Sequence, residues 1–260
     1  MLVKQSGAVK VSKESVRLLV SAPSQYGVRL ARSPEEIQAA QALRFQVFNL
    51  ELDEGLAQSY ATGLDADPFD TVCDHLLVEH GPSRQIVGTY RLQTGANAAT
   101  NLGYYCEQEF AFGGFEPFRT EMVELGRACV HRQHRNLFVL GLLWKGIADY
   151  ARERGGRYLV GCSSLTSQEP AAGASAYTEL CRNHLADPTW RTRPLPSHEC
   201  PLDAVTEEAV SIPKLLRAYL TIGAKICGPP ALDRQFKTID FLTVLDLATL
   251  SPQTRERFLG

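Results

Sequence analysis

No two of the seven cysteines in this 260-residue chain stand at C-x-x-C spacing, so the local signature of a zinc or iron–sulfur site is missing and no metal is expected. Seven is an odd number, and Cys73, Cys106, Cys129, Cys162, Cys181, Cys200 and Cys227 lie far apart. That pattern predicts reduced, mostly buried thiols. Long hydrophobic runs are also lacking: none approaches the roughly 18 apolar residues that span a bilayer, and the N-terminus shows no apolar core followed by a cleavage site. The expectation is a cytoplasmic protein, with peripheral contact at the inner membrane left open. A basic excess is absent too. The formal net charge of -2 excludes nucleic acid as the main partner.

Charge is unevenly spread. Between Phe45 and Ser83 there is no Lys or Arg, while eight acids occur; from Met1 to Arg32 six basic residues face only Glu14. Within the first part, Val16, Leu18, Leu19 and Val20 form a short apolar cluster. It reads as an extension packed on the domain, or as a contact with a membrane surface. A hydrophobic content of 44% and a charged content of 22% belong to an ordinary globular chain, long enough for one large domain. The expected division is an N-terminal extension over 1–25, a core over 26–186 and a C-terminal part over 187–260 that completes the same domain.

Alternation predicts a first strand at Tyr26–Ala31, and Ser33-Pro34-Glu35-Glu36 predicts a capping box opening a helix that carries Arg44 beside its apolar stripe. Asn49–Pro68 is a long acidic connection, read as a lid or a surface excursion. Val72–Glu79 and Ile86–Leu92 read as a hairpin, with Asp74 and His75 on opposite faces. Aromatic residues from Tyr104 to Phe115 read as a cover for the sheet, with the lining of a groove as the alternative.

The middle of the chain, Glu121–Leu143, carries an acid in an apolar strand, Glu124, then a basic corner, then an apolar helix pattern from near Asn136. The first N–H groups of a helix lack internal partners, and its dipole favours anions. Arg127, His131, Arg132, His134 and Arg135 ahead of that end suggest a site for a phosphorylated ligand; a solvated basic turn is the plain alternative. The helix stops at Gly155-Gly156, and a strand at Arg157–Cys162, helices at Ala171–His184 and Lys214–Ile222, and a strand at Ile239–Leu247 follow. Together these predict an α/β fold with a mixed sheet and covering helices.

The order of elements resembles the GNAT acyltransferase fold, whose pyrophosphate loop lies where RQHRNLFVL (Arg132–Leu140) lies here. The segments RFQVF (Arg44–Phe48), FDTVCDHLLV (Phe69–Val78), IVGTYRL (Ile86–Leu92) and ELGRACVHRQHR (Glu124–Arg135) are similar to the branch holding acyl-homoserine-lactone synthases and ornithine N-acyltransferases of lyso-ornithine lipid synthesis. IPKLLRAYLTIGAKICGPPALDRQFKTIDFLTVLDL (Ile212–Leu247) is similar to the ornithine side specifically. The resemblance implies transfer of a 3-hydroxyacyl chain from the phosphopantetheine of acyl carrier protein to the α-amine of ornithine, with acyl-coenzyme A as the other donor. Asn136, Leu137 and Phe138 stand where glycines are common in the loop, which favours the carrier-bound donor.

Such a transfer needs an acceptor for the amine proton, a hole for the oxyanion and a grip on the donor. Glu124 is the first candidate base, because an acid in an apolar strand needs pairing or a raised pKa; an ion pair with Arg127 is its structural alternative. His131 and His75 are further bases, and Asp74 is an amine ligand. Arg127, Arg132, His134, Arg135, Asn136 and Leu137 are the expected donor-binding set, and Arg44 and Arg91 are candidates for the acceptor's carboxylate. A nucleophilic Cys129 is unnecessary, since the amine itself attacks. Lactone synthesis, acylation of another amino acid such as glycine, and a carrier-binding scaffold without activity are the competing readings.

Overall fold

A computed structural model of the chain describes residues 25–203 and 211–259. The Val16–Val20 cluster lies outside them. Strand β1 (Tyr26–Leu30) leads into helix α1 (Pro34–Arg44), where Ser33 Oγ accepts the Glu36 N–H at 3.4 Å. The reciprocal half of the expected capping box does not form. Glu36 turns instead to Arg29, at 2.7 and 2.8 Å, and to the Arg32 N–H, at 2.7 Å, because a two-pronged charged contact outweighs one neutral cap bond. Past Arg44 the helix loosens into a π-helical turn, Phe45–Glu51.

Strands β2 (Asp74–His80) and β3 (Gln85–Thr94) form the expected hairpin, and β4 (Met122–Val130) and β5 (Tyr158–Leu165) continue the sheet. The last strand, β8 (Thr238–Asp246), lies antiparallel to β5, and β6 (Lys225–Ile226) and β7 (Ala231–Asp233) both pair with it. β7 is too short to leave a readable period in the sequence. The order is β1-β2-β3-β4-β5-β8-β6. Among the described strands β4 and β5 alone pair in parallel, as their connection through helix α3 (Leu137–Glu153) requires.

One face of the sheet is covered by α3, whose Leu143, Ile147 and Ala151 pack on Leu76, Val78, Leu92 and Val123. Helices α4 (Pro170–His184) and α5 (Lys214–Thr221) extend this layer over Ile239 and Phe241. On the other face lie α1, the short α2 (Gly95–Thr100) and the rings of Tyr104, Phe110, Phe112 and Phe115, which cover Met122, Val160 and Leu242. Each fully buried side chain of this size contributes about 1.5–3 kcal/mol. A final helix, α6 (Pro252–Leu259), packs on α3. Among the described residues no helix is long and apolar enough to cross a membrane.

Two irregularities open the sheet. β4 and β5 are in register only over Met122–Glu124 with Tyr158–Val160 and then part. Opposite β3, Arg91 pairs with Gly126 and Thr89 with Cys129. Arg127 and Ala128 therefore face the single residue Tyr90, a β-bulge that sets Arg127 at φ +50°. The bulge bends β4 away from β5 just where their pairing ends.

Candidate active site

A cavity of about 540 Å³ occupies the gap, a size suited to a small-molecule ligand. On the α3 side it is lined by apolar groups that include Leu125, Ile147, Leu159, Ile222 and Leu245; on the other side it meets Glu124, Arg91, Arg127, Tyr105 and Asp240. Neighbouring residues of a strand point to opposite faces. Glu124 and Leu125 thus stand where the polar and apolar parts join.

The Glu124 carboxylate is buried yet has no basic partner among the described residues. Oε2 accepts Gln93 Nε2 at 2.6 Å and the Tyr105 N–H at 2.9 Å, and Oε1 accepts the Cys106 N–H at 2.8 Å. Three donors replace the ion pair with Arg127 that the sequence left open. Oε1, which accepts one of the three, keeps a lone pair for a further donor such as an amine.

Arg127 is committed elsewhere. Its guanidinium holds Asp65 and lies over Phe48 and Phe236, 4.6 and 4.2 Å from the ring centres. Asp65 also takes Arg44 Nε at 2.9 Å, while Arg44 makes a two-pronged contact with Asp70 at 2.9 and 2.6 Å. Arg91 Nη1 then bridges Asp70 at 3.1 Å and Asp67 at 2.6 Å. Arg127, Asp65, Arg44, Asp70, Arg91 and Asp67 form one alternating, neutral chain. Burial works against the Asp70 charge, but the hydrogen bonds and charge of Arg44 prevail and hold its carboxyl well below the usual range. Arg44 is 0% exposed and does not line the cavity. Its head reaches neither water nor a cleft. Arg91 does line the cavity, and Nη1 alone makes its two Asp contacts.

His75 and Asp74 diverge as strand neighbours should. His75 Nε2 meets the Asp70 carbonyl at 3.1 Å, and burial lowers its pKa; Asp74 accepts the Tyr150 hydroxyl at 2.9 Å beneath α3. His131 Nδ1 accepts the Gln133 N–H at 3.3 Å, and its ring lies tilted beside that of His134, 5.5 Å centre to centre; His134 hydrogen-bonds Tyr26 at 2.9 Å. None of these four residues lines the cavity.

At the α3 start, Asn136 Oδ1 caps the helix by accepting the Val139 N–H at 3.0 Å. The N–H groups of Leu137 and Phe138 precede it in the open first turn. Arg132 is exposed, Leu137 is 76% exposed and Phe138 53%. Arg135 lines the cavity mouth while donating to the Val130 carbonyl at 2.9 Å and to Glu51 at 2.8 Å. The donor-binding set is therefore split: Arg132, Arg135, Asn136 and Leu137 share one corner, Arg127 faces the polar side, and His134 turns toward β1.

Sequence reasoning missed Asp65, Asp67 and Asp70 as partners, although the run without Lys or Arg from Phe45 to Ser83 carried their signal. An acid-only segment in a folded domain has to find its cations elsewhere. It also missed Gln93, Tyr105, Cys106 and Asp240, which no local pattern marks. Burial raises the Cys106 and Cys129 thiols to about 12, so neither is a thiolate near neutral pH.

The parted parallel strands, the bulge and a cavity joining an apolar wall to a fixed carboxylate define an acyltransferase of the GNAT fold. Residues 43–145 match the family model described as the acetyltransferase (GNAT) domain. The chain is 37% identical over 242 residues to an L-ornithine N(alpha)-acyltransferase of Brucella abortus (strain 2308), an alignment covering 86% of this chain and 85% of that protein. It belongs to the L-ornithine N(alpha)-acyltransferase family. Two solved structures share its fold: FeeM, an N-acyl amino acid synthase from uncultured soil microbes, has a TM-score of 0.52 at 14% identity over 92% of this chain and 97% of that one. The AHL synthase LasI has a TM-score of 0.50 at 11% identity over 90% and 95%.

Proposed function

We propose that the protein moves a 3-hydroxyacyl chain from the phosphopantetheine arm of acyl carrier protein to the α-amine of ornithine, giving a lyso-ornithine lipid. The observation that carries this reading is the cavity through the β4–β5 gap, apolar on the α3 side and polar around Glu124. Family membership supports the acceptor. The amine nitrogen attacks the thioester carbonyl; a C–N bond forms, the C–S bond breaks, and the sulfur leaves as the pantetheine thiol. Glu124 Oε1 receives the proton that the amine loses. The bulge turns the backbone of Arg127 and Ala128 out of the regular ladder, and its N–H groups are the donors assigned to the oxyanion.

The donor's phosphate rests at the α3 start, on the Leu137 and Phe138 N–H groups and Arg132 and Arg135. The exposed Leu137 and Phe138 beside Arg132 suit a carrier surface that is acidic and partly apolar. Arg91 receives the acceptor's α-carboxylate. Product is expected to partition to the inner membrane surface, where the enzyme releases it. The test is purified protein with 3-hydroxyacyl carrier protein or the matching acyl-coenzyme A, and with ornithine, glycine, lysine or homoserine, the products identified by mass. Acyl-ornithine from the carrier donor is the expected result; its absence with every donor overturns the reading.

A further inference from the structure

On the polar face of the sheet, beyond Glu124, two buried carboxylates meet with no cation between them. Asp240 on β8 lines the cavity, and Glu109 stands behind it. Together with Cys162 Sγ their oxygens fall within 4.8 Å of one another. They are 4% and 1% exposed, and neither has an Arg or Lys partner among the described residues. Asp240 Oδ1, Glu109 Oε1 and the neighbouring Thr238 Oγ1 are buried without a hydrogen-bond partner. Native interiors rarely leave such atoms unmet, and two of the three, on Asp240 and Thr238, belong to residues that line the cavity, with Glu109 directly behind them.

The position is fixed from both sides. Asp240 is in register with Ser164, and the Glu109 backbone is tied by its N–H to the Cys106 carbonyl and by its carbonyl to the Leu195 N–H, at 3.2 and 2.7 Å. Burial, followed by the charge of its acidic neighbours, pushes the Glu109 carboxyl well above the usual range and Asp240 up to about 6. Two such groups share a proton until a cation replaces it.

Resting on the function proposed above, we infer that Asp240, backed by Glu109 and Thr238, is the socket for the acceptor's side-chain ammonium and so selects a diamino acid over a neutral one. Glu124 and the socket are linked through Cys106, whose N–H is 2.8 Å from Glu124 Oε1 and whose Sγ is 3.5 Å from Cys162. An extended ornithine holds its two nitrogens about 6 Å apart. Adding one hydrogen bond of about 2.8 Å at each end gives a reach of about 12 Å between carboxylates. The α-amine then faces Glu124 while the distal ammonium meets Asp240. Lysine adds one methylene to that reach and 2,4-diaminobutyrate removes one, so chain length is a second test of the socket.

The experiment is calorimetric titration of the whole protein with ornithine, norvaline, lysine and 2,4-diaminobutyrate, and the same panel as acceptors in the transfer assay. Wild type, Asp240→Asn and Glu109→Gln are compared. Norvaline has ornithine's carbon chain without the distal amine. The expected result is a preference of the wild type for ornithine over norvaline that falls about 10- to 100-fold in Asp240→Asn. Affinity for norvaline stays within about threefold, since a neutral chain makes no charged contact there. An unchanged ornithine-to-norvaline ratio in both variants overturns the socket, as does a stoichiometric metal ion held by Glu109, Cys162 and Asp240 in the purified protein. Should Asp240→Asn fail to fold, Glu109→Gln and the chain-length series on wild type decide. Selective ornithine binding without acyl transfer keeps the socket and removes the transferase reading.

Discussion

Gly161 on β5 passes so close to Leu125 on β4 that a Cβ placed on it would stand 2.3 Å from the Leu125 carbonyl oxygen. This contact sits one residue beyond the last paired position, Glu124 with Val160. It is the hinge at which the two strands part. Gly161→Ala would have to push β4 off β5 through backbone, which cannot yield as a flexible side chain does. A loss of about 1–3 kcal/mol in unfolding free energy is expected. Turnover should fall further than stability explains, because Glu124 is displaced with the strand; wild-type turnover in a folded variant would remove the hinge role.

Glu124→Gln tests the carboxylate directly. The amide keeps one acceptor oxygen where three donors now converge from Gln93, Tyr105 and Cys106, so one buried N–H loses its partner, at about 1–3 kcal/mol. Transfer is expected to drop by about 100-fold or more, within the range ascribed to a positioned base. Chemical denaturation and steady-state kinetics on one preparation separate the two effects. Turnover near that of wild type would place the base elsewhere.

The Arg44 and Asp70 pair sets the acid limit of the fold. Because Asp70 is held below its ordinary range, the stability it contributes is complete above about pH 4, the unfolded carboxyl value. That contribution is lost as pH falls through the lower folded value. Asp70→Asn should flatten the stability curve below about pH 4 and leave its shape at pH 7 to 8 unchanged. Arg44→Met strands Asp65 and Asp70 without their shared cation, with a loss of about 3–5 kcal/mol at neutral pH. Urea midpoints measured across pH check both expectations.

Most of the frame was legible in the sequence, because β2, β3, α3 and β8 each carry a full period of apolar residues. Ser33 announced its helix start by chemistry that acts within three residues, and α3 was announced by the apolar pattern from near Asn136. The site was legible only where one segment supplied it. Glu124 stood out as an acid in an apolar strand, and the basic corner stood out by composition. What stayed hidden was pairing at long range: Arg127 chooses Asp65, and Glu124 chooses two backbone N–H groups from a loop eighteen and nineteen residues earlier. Such choices depend on the bulge at Arg127 and on the turn at Tyr105, and neither leaves a periodic trace. Asp240 looked like one more residue of a strand until Glu109 arrived beside it.

The donor corner yields the last expectation. Arg132 is exposed, whereas Arg135 is held by the Val130 carbonyl and by Glu51 at the cavity mouth. Arg132→Ala therefore should raise the donor KM about 3- to 10-fold through loss of one phosphate or carrier contact, and added salt should shrink the difference. Arg135→Ala should act more strongly, since it also frees Glu51, whose carboxyl the Arg135 hydrogen bonds now lower, leaving an anion beside the incoming phosphate. Glu51→Gln in the Arg135→Ala background should then recover part of the donor affinity by removing that repulsion. Acceptor KM should stay within about twofold in all three, as the acceptor's contacts lie across the gap at Glu124 and Arg91. Equal rises in donor and acceptor KM would mean that the corner shapes the whole cavity rather than gripping the donor.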